Sequence, residues 1–228
     1  MKARDVMTSR VATVAITTPV EAVASTMLTQ GVSGLPVVDG DGRLRGIVSE
    51  GDLMRRAETG TADAPRSWWL RLFGDEEEEA RQYIKSHGAT AGDVMTRGVT
   101  TVGPDEDIAS IAMLLEKKRI KRVPVVDGEK LLGIVSRADL LRGLATHGSL
   151  GRTAPAGDRE IRDALVAHLA SQPWASSAMV NVIVNDGVVN LWGVYDSRDQ
   201  HQALLVAARN APGAKGVEDH MTFTPAVG

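Results

Sequence analysis

The chain of 228 residues has no cysteine, no excess of positive charge and no long apolar run. The lack of cysteine excludes disulfides and thiolate chemistry. With 29 acidic and 26 basic residues the net charge is −3, so no overall positive field exists that would gather nucleic acid. No apolar run approaches the roughly 20 residues that span a bilayer, and no charged-then-apolar secretory leader follows Met1. We therefore expect a cytoplasmic protein that does not bind nucleic acid.

Patterns typical of enzymes and metal sites are missing as well. The histidines have no spacing that would place a metal-binding pair on one helix face. No sequence cue links a serine or an aspartate to a catalytic base. We expect His168, on an apolar helical face, to be a half-buried histidine rather than a ligand. The sequence thus predicts no catalytic residue, no metal and no required cofactor.

One pattern occurs twice in the chain. It consists of Asp-Val-Met-Thr at 5–8 and 93–96, Pro-Val-Val-Asp-Gly at 36–40 and 124–128, and Gly-Ile-Val-Ser at 46–49 and 133–136. The two copies have the same spacing except for one residue lost near Asp41, in a turn that tolerates the deletion. We expect the copies to pack about a pseudo-twofold axis, and the cleft between them is the first candidate site.

Each copy is predicted to contain a short strand, a helix, a strand, a turn, a strand and a second helix. In the first copy, apolar residues from Val20 to Leu28 recur at helical spacing, and Gly31 ends that helix. A proline-led strand, a hairpin turn and a returning strand follow, at 35–38, 39–42 and 44–48. Ser49 caps the next helix, as Ser136 does in the second copy.

The inter-repeat insert, residues 57–88, has no counterpart within either copy. Its Trp69, Leu72 and Phe73 predict a helix that covers the core, and the alternative is an exposed docking patch. Acidic residues at 75–79 follow shortly after Trp68 and Trp69 and would repel anionic lipid. We therefore expect this segment to serve core covering or self-association rather than membrane insertion.

The residue pattern of the C-terminal part differs from that of the repeats. A linker rich in glycine and small polar residues is predicted at 147–157. Beyond it, a helix, a hairpin of alternating valines around Asp186-Gly187, a second helix and a last strand follow. Residues 158–225 are thus expected to form a small αββαβ domain.

The repeats resemble CBS domains, the regulatory modules named after cystathionine β-synthase, over residues 1–56 and 89–146. Three pieces carry the resemblance: the Asp-Val-Met-Thr segment, the proline-led strand, and a strand-to-helix signature of the form Gly-Ile-Val-Ser-x-x-Asp. The signature is Gly46, Ile47, Val48, Ser49 and Asp52 in the first copy, and Gly133, Ile134, Val135, Ser136 and Asp139 in the second.

The chemistry of the signature points to a nucleoside phosphate. A serine at a helix N-cap can bond either the first amides of the helix or a phosphate, and the helix N-terminus attracts anions. An aspartate three residues later can accept hydrogen bonds from the two hydroxyls of a ribose. Alternatively, Ser-x-x-Asp is only a capping box whose acid folds back onto the serine amide. Because the pattern occurs twice, we favour the ligand interpretation.

The resemblance implies that the two aspartates hold ribose, that the two serines hold phosphate, and that segments 32–35 and 120–123 flank adenine. With the neighbouring basic side chains, the candidate ligand-binding residues are Thr13, Val32, Leu35, Pro36, Ser49, Asp52, Thr101, Ile120, Lys121, Arg122, Val123, Pro124, Ser136, Arg137 and Asp139. The second site is expected to bind more tightly, because Lys121, Arg122 and Arg137 replace residues that are neutral or acidic in the first copy.

The C-terminal domain resembles the BON domain, a small module of bacterial envelope and stress proteins. The resemblance rests on the hairpin with Val180, Val182, Gly187, Val189, Leu191 and Gly193 and on the late Gly216-Val217. Family members often contact phospholipid, so the implied partner of this domain is a protein or a lipid.

The expected fold class is α/β (α+β), with two CBS repeats packed as a pseudo-twofold pair plus a small αββαβ BON domain. The expected function is a non-catalytic regulatory protein that binds adenine nucleotide in the cleft between the repeats, with output through the BON module. AMP, ADP and ATP are the candidate ligands, ahead of NAD and S-adenosylmethionine, and the CBS pair is expected to form a homodimer. The alternative is a scaffold or stress protein in which the CBS pair only dimerises.

Overall fold

The computed structural model describes residues 1–54, 87–147, 156–175 and 179–224. The described helices are α1 (Ala3–Val6), α2 (Val20–Gln30), α3 (Glu50–Leu53), α4 (Ala91–Val94), α5 (Ile108–Lys117), α6 (Arg137–His147), α7 (Ala156–Ala170) and α8 (Arg198–Arg209), with a 3₁₀ turn at Pro173–Ala175. The described strands are β1 (Val14–Ala15), β2 (Gly34–Val38), β3 (Leu44–Ser49), β4 (Arg122–Asp127), β5 (Lys130–Ser136), β6 (Met179–Asn185), β7 (Val188–Tyr195) and β8 (Gly216–Phe223). The expected mixed α/β class is confirmed.

The chain forms two compact units, which are described separately. The first is Ala12–Val99, and the second combines Met1–Val11 with Thr100–Gly228. In Ala12–Val99, β1 runs parallel to β2, and β2 pairs antiparallel with β3. Helix α2 ends at Gly31 as predicted, in a left-handed conformation with φ of 59° that favours glycine. The core of this unit consists of Val14, Val20, Val23, Met27, Leu35, Val37, Val48, Ala91, Val94 and Met95.

In the other unit, β4 and β5 form the corresponding antiparallel pair, and α5 and α6 pack beside it. Its core includes the first residues of the chain together with residues of the second repeat. The members are Met1, Ala3, Val6, Met7, Ile108, Ile111, Leu115, Val123, Val125, Val135 and Leu140. The N-terminal segment therefore completes the core of the second copy.

The two Asp-Val-Met-Thr segments, which we call the DVMT segments, pack on the copy that each does not begin. Thr8 and Ile134 exchange backbone hydrogen bonds of 3.0 Å in both directions, and Thr96 does the same with Ile47 at 2.8 and 3.1 Å. The signature glycines allow this approach. A Cβ at Gly133 would lie 2.6 Å from Met7 Sδ and 2.9 Å from the Thr8 carbonyl oxygen. Each packed unit therefore combines the strands of one sequence repeat with the DVMT segment of the other.

The C-terminal domain has the predicted order αββαβ. Strands β6 and β7 form a hairpin around Asp186 and Gly187, both with positive φ, as a two-residue turn of this type requires. The buried Asp158 carboxylate accepts hydrogen bonds from both of these amides, at 2.9 and 2.8 Å. Strand β8 then pairs parallel with β7, and α7 and α8 cover one face of the sheet.

Some expectations differ from the structure. The short first strand predicted for the first copy is only Val14–Ala15, because only these residues pair with β2. His168 was expected to be half-buried, and this prediction is wrong: its side chain is exposed on α7. Most of the inter-repeat insert, including Trp68 and Trp69, and residues 148–155 of the linker lie outside the described residues.

Two kinds of feature are absent from the described segments. Within residues 1–54, 87–147, 156–175 and 179–224, no helix has the length and apolar character needed to cross a membrane. The same stretches contain no group of three or more histidine, cysteine, aspartate or glutamate residues that could hold a metal ion.

We predict that Gly133→Ala destabilises the protein by about 1–3 kcal/mol, because the new methyl group would force apart Met7 and the backbone of Thr8. Urea unfolding followed by circular dichroism measures the change. The matched control is Gly103→Ala, since no atom lies within 4 Å of the position of its added Cβ. Equal effects of the two substitutions would contradict the role assigned to the close approach.

Candidate functional site

Each signature aspartate lies in the first turn of a helix and bonds the serine that precedes that helix. In the first copy, Asp52 Oδ2 accepts hydrogen bonds from the Ser49 amide at 2.9 Å and from the Ser49 hydroxyl at 2.7 Å. In the second copy, Asp139 Oδ2 accepts the equivalent bonds from Ser136 at 2.8 and 2.7 Å. Both aspartates are buried. The capping box that the sequence left open as an alternative is therefore formed at both helix starts.

The second oxygen of Asp139 has a different set of partners. Asp139 Oδ1 accepts hydrogen bonds from Arg142 Nη1 at 2.9 Å, Asn181 Nδ2 at 3.0 Å and, at 3.4 Å, the Thr8 hydroxyl. Arg142 lies one turn further along α6, while Asn181 belongs to β6 of the C-terminal domain. The carboxylate is 2% exposed. Capping uses one oxygen, and contact with the C-terminal domain uses the other.

The predicted basic residues lie beside the start of α6. The Arg137 amide donates a hydrogen bond to the Lys121 carbonyl oxygen at 3.2 Å, and the side chains of both residues are exposed. In the first copy, the matching bond runs from the Glu50 amide to the Ser33 carbonyl oxygen, also at 3.2 Å. The backbone is thus the same in both copies, and the difference in charge is carried by the side chains.

The remaining candidates fall into three groups. Thr13 and Thr101 are exposed. Val32 and Ile120 pack at the edge of the cores, and Arg122 is half-buried in β4. The prolines and their preceding residues are buried in β2 and β4, and these are Leu35, Pro36, Val123 and Pro124. Because the side chains of Leu35 and Val123 belong to the cores, a ligand could reach only their backbone.

The residues that attach the C-terminal domain to the second repeat are not among those predicted from the sequence. Asn181 donates one hydrogen bond to Asp139 and another to the Val6 carbonyl oxygen, at 2.9 Å. Asn185, four positions later on the same face of β6, donates to the Thr146 carbonyl oxygen at 3.1 Å. A signal was present: both asparagines alternate with the core valines of β6 and mark a second face that is polar.

Two arginines of α7 bind the N-terminal segment. Arg159 forms an ion pair with Asp5, with Nε 2.7 Å from Oδ1, and this hydrogen bond raises the pKa of the guanidinium. Arg162 is almost fully buried, and burial lowers its pKa. Its guanidinium donates to the Met7 carbonyl oxygen at 2.9 Å, to the Ser9 hydroxyl at 3.0 Å and to the Val182 carbonyl oxygen at 3.1 Å.

A small cavity lies beside this interface. It is lined by polar groups of Ser9, Arg10, Arg162 and Asn181 and otherwise by apolar side chains of the C-terminal domain. Its volume of about 130 Å³ is well below the roughly 300 Å³ at which ligand pockets begin. The cavity is therefore too small for a nucleotide.

Comparison with known families assigns all three parts of the chain. The CBS domain profile matches residues 3–58 and 91–146, and the BON domain profile matches residues 157–225. These ranges agree with the resemblances derived from the signature and from the C-terminal hairpin.

Several relatives match the repeat region. The chain is 38% identical over 128 residues to an uncharacterized protein of Methanocaldococcus jannaschii, covering 50% of this chain and 73% of that protein. It is 30% identical over 135 residues to the chloroplastic CBS domain-containing protein CBSX2 of Arabidopsis thaliana, covering 55% of each, so the match spans about half the length of that relative. The crystal structure of CBSX2 in complex with AMP is similar with a TM-score of 0.55 and 29% identity, covering 63% of this chain and 96% of that one.

We predict that Arg159→Ala destabilises the protein by about 1–3 kcal/mol, because it leaves the buried Asp5 carboxylate without its charged partner. Urea unfolding measures the loss. Glu160→Ala, an exposed position on the same helix, is the control and should change stability by less than about 0.5 kcal/mol. If both variants unfold at the wild-type urea concentration, the ion pair does not stabilise the docked domain.

Proposed function

This chain belongs to the CBS-domain proteins and carries a BON domain after its two CBS domains, and on this premise we propose that it is a non-catalytic regulatory protein that binds an adenine nucleotide. The ligand binds at the helix starts of the CBS repeats, and the BON domain transmits the result of binding. The observation that carries this proposal is the start of α6, where Ser136 and Asp139 stand at the helix N-terminus and the backbone of Arg137 bonds that of Lys121.

The groups at the start of α6 match the parts of a nucleotide. The Ser136 hydroxyl and the helix N-terminus suit a phosphate, and the exposed cations of Lys121 and Arg137 add charge-assisted hydrogen bonds to it. Asp139 suits the ribose, because a carboxylate oxygen accepts hydrogen bonds from vicinal hydroxyls. Its Oδ2 is used for capping, so the ribose must take the place of the present donors at Oδ1.

The choice of an adenine nucleotide is supported by a relative. CBSX2 has been crystallised in complex with AMP, and the repeat region of this chain shares its fold. A site made of main chain, one acid and exposed cations recognises a ribose phosphate without requiring a fixed number of phosphates. AMP, ADP and ATP are therefore the first ligands to test, and NAD and S-adenosylmethionine follow.

The CBS pair also provides a surface for self-association. Helix α6 exposes Leu141 and Leu144, with 66% and 41% of their surface accessible. Apolar side chains on one helix are suited to contact with a second copy of the chain. We expect a homodimer formed through the CBS domains, with the BON domains outside that contact and directed to a protein or lipid partner.

We predict that a saturating adenine nucleotide raises the thermal stability of the protein. At about 100 times its dissociation constant, a ligand that binds only the folded state adds roughly 2.7 kcal/mol. The measurement is a thermal shift with AMP, ADP, ATP, NAD and S-adenosylmethionine, with uridine monophosphate as the control ligand. A flat response to all five would contradict the proposal and favour a scaffold in which the CBS pair only dimerises.

We predict that Arg137→Glu weakens the tightest AMP binding event by about tenfold or more, because it places a negative charge beside the phosphate. Lys117→Glu is the matched control, since it makes the same charge change at another exposed position of the unit. Asp52→Ala, in the first copy, should leave the tightest event nearly intact. Titration calorimetry decides between the copies: equal losses in Arg137→Glu and Asp52→Ala would refute a stronger second site.

A further inference from the structure

We infer that the BON domain and the nucleotide compete for Asp139, so that the docked BON domain closes the second nucleotide site and ligand binding releases it. This inference rests on the proposed function and adds the regulation of that site. The two events are linked because both need hydrogen bonds to the same oxygen of one buried carboxylate.

The geometry at Asp139 leaves no room for both partners. The described donors number two at Oδ2 and three at Oδ1, and a carboxylate has about four lone-pair positions in total. The two ribose hydroxyls therefore cannot bind while every present donor stays. The Oδ2 donors belong to the helix cap, so a ligand must displace donors at Oδ1, and Asn181 is the one that belongs to the BON domain.

The burial of Asp139 gives a second reason. Asn181 is 4% exposed and Ile183, two positions later on the same face of β6, is fully buried. Strand β6 contacts both α1 and α6, and its Asn181 bonds Asp139 in the first turn of α6. A nucleotide cannot reach a carboxylate that is 2% exposed until β6 moves away.

The chemistry of the interface is suited to opening. Its described polar contacts are hydrogen bonds and one ion pair, formed by Asn181, Asn185, Arg159 and Arg162, whose polar groups can return to water. Asn181 Oδ1 and Thr146 Oγ1 are buried and have no hydrogen-bond partner within the described part of the chain. Such atoms lower the free energy gained by docking. The docked state is thus held by contacts that a ligand of moderate affinity can replace.

Competition has a quantitative consequence. If only the undocked form binds, the apparent dissociation constant equals the intrinsic one divided by the undocked fraction. Any substitution that weakens docking must therefore tighten nucleotide binding at the second site, even where the substituted residue touches no ligand. Nucleotide must in turn weaken docking by the same factor.

The test uses the full chain and three substitutions in the BON domain. Asn181→Ala removes the amide that competes for Asp139, and we expect it to bind AMP about tenfold more tightly than the wild type, the effect of one hydrogen bond to a charged group. Arg159→Gln weakens docking at Asp5 without touching Asp139, and it should also tighten binding. Gln202→Ala, at an exposed position on α8, is the control and should bind like the wild type.

A distance measurement gives an independent readout. Because the chain has no cysteine, spin labels can be placed at Lys117→Cys in the CBS repeat and Arg209→Cys in the BON domain, both exposed. We expect one narrow distance distribution without ligand, and a longer and broader one with AMP or with Asn181→Ala alone.

The outcomes separate the inference from the proposed function. If AMP binds equally to the wild type, Asn181→Ala and Arg159→Gln and leaves the distance unchanged, competition is wrong while nucleotide binding stands. If Asn181→Ala weakens binding, Asn181 is a ligand contact and the inference is overturned. If no variant binds any nucleotide, the proposed function fails and the inference fails with it.

Discussion

The close approach of the DVMT segment to the signature glycine is the contact on which the rest of this structure depends. Backbone groups of Thr8 and Ile134 bond at 3.0 Å only because Gly133 has no side chain, whose Cβ would lie 2.6 Å from Met7 Sδ. This contact holds the chain's first residues on the second repeat. As a result, the carboxylate of Asp5 and the carbonyl oxygen of Met7 accept hydrogen bonds from the BON domain.

The BON domain binds the second repeat and the DVMT segment through hydrogen-bond donors of one strand, β6, and one helix, α7. Two asparagines on one face of β6, four positions apart, donate to carbonyl oxygens of Val6 and Thr146, and arginines of α7 bind the DVMT segment. The buried guanidinium of Arg162 is tolerated because backbone and hydroxyl oxygens accept its hydrogen bonds. Directional bonds of this kind fix the orientation of docking, while the hydrophobic cores on either side fix the domains themselves.

Asp139 has two tasks because its two oxygens face different parts of the molecule. One oxygen caps α6, which ties the aspartate to helix stability, and the other bonds Arg142 and the BON domain. The sequence is compatible with either a capping box or a ligand site at this position. In the structure, capping occupies one oxygen of Asp139, and the second oxygen bonds the BON domain and is the one that the proposed ligand would need.

The sequence by itself determined the elements that depend on local signals. The helix that stops at Gly31, the paired strands of each repeat, the serine caps and the Asp186-Gly187 turn were all predictable, because each depends on residues a few positions apart. Tertiary structure alone decided which copy each DVMT segment packs on, that Arg162 is buried, and that Asn181 reaches Asp139. These partners are far apart in the chain. Apolar periodicity shows that a face is buried, but because the hydrophobic effect is non-directional it does not show which element covers that face.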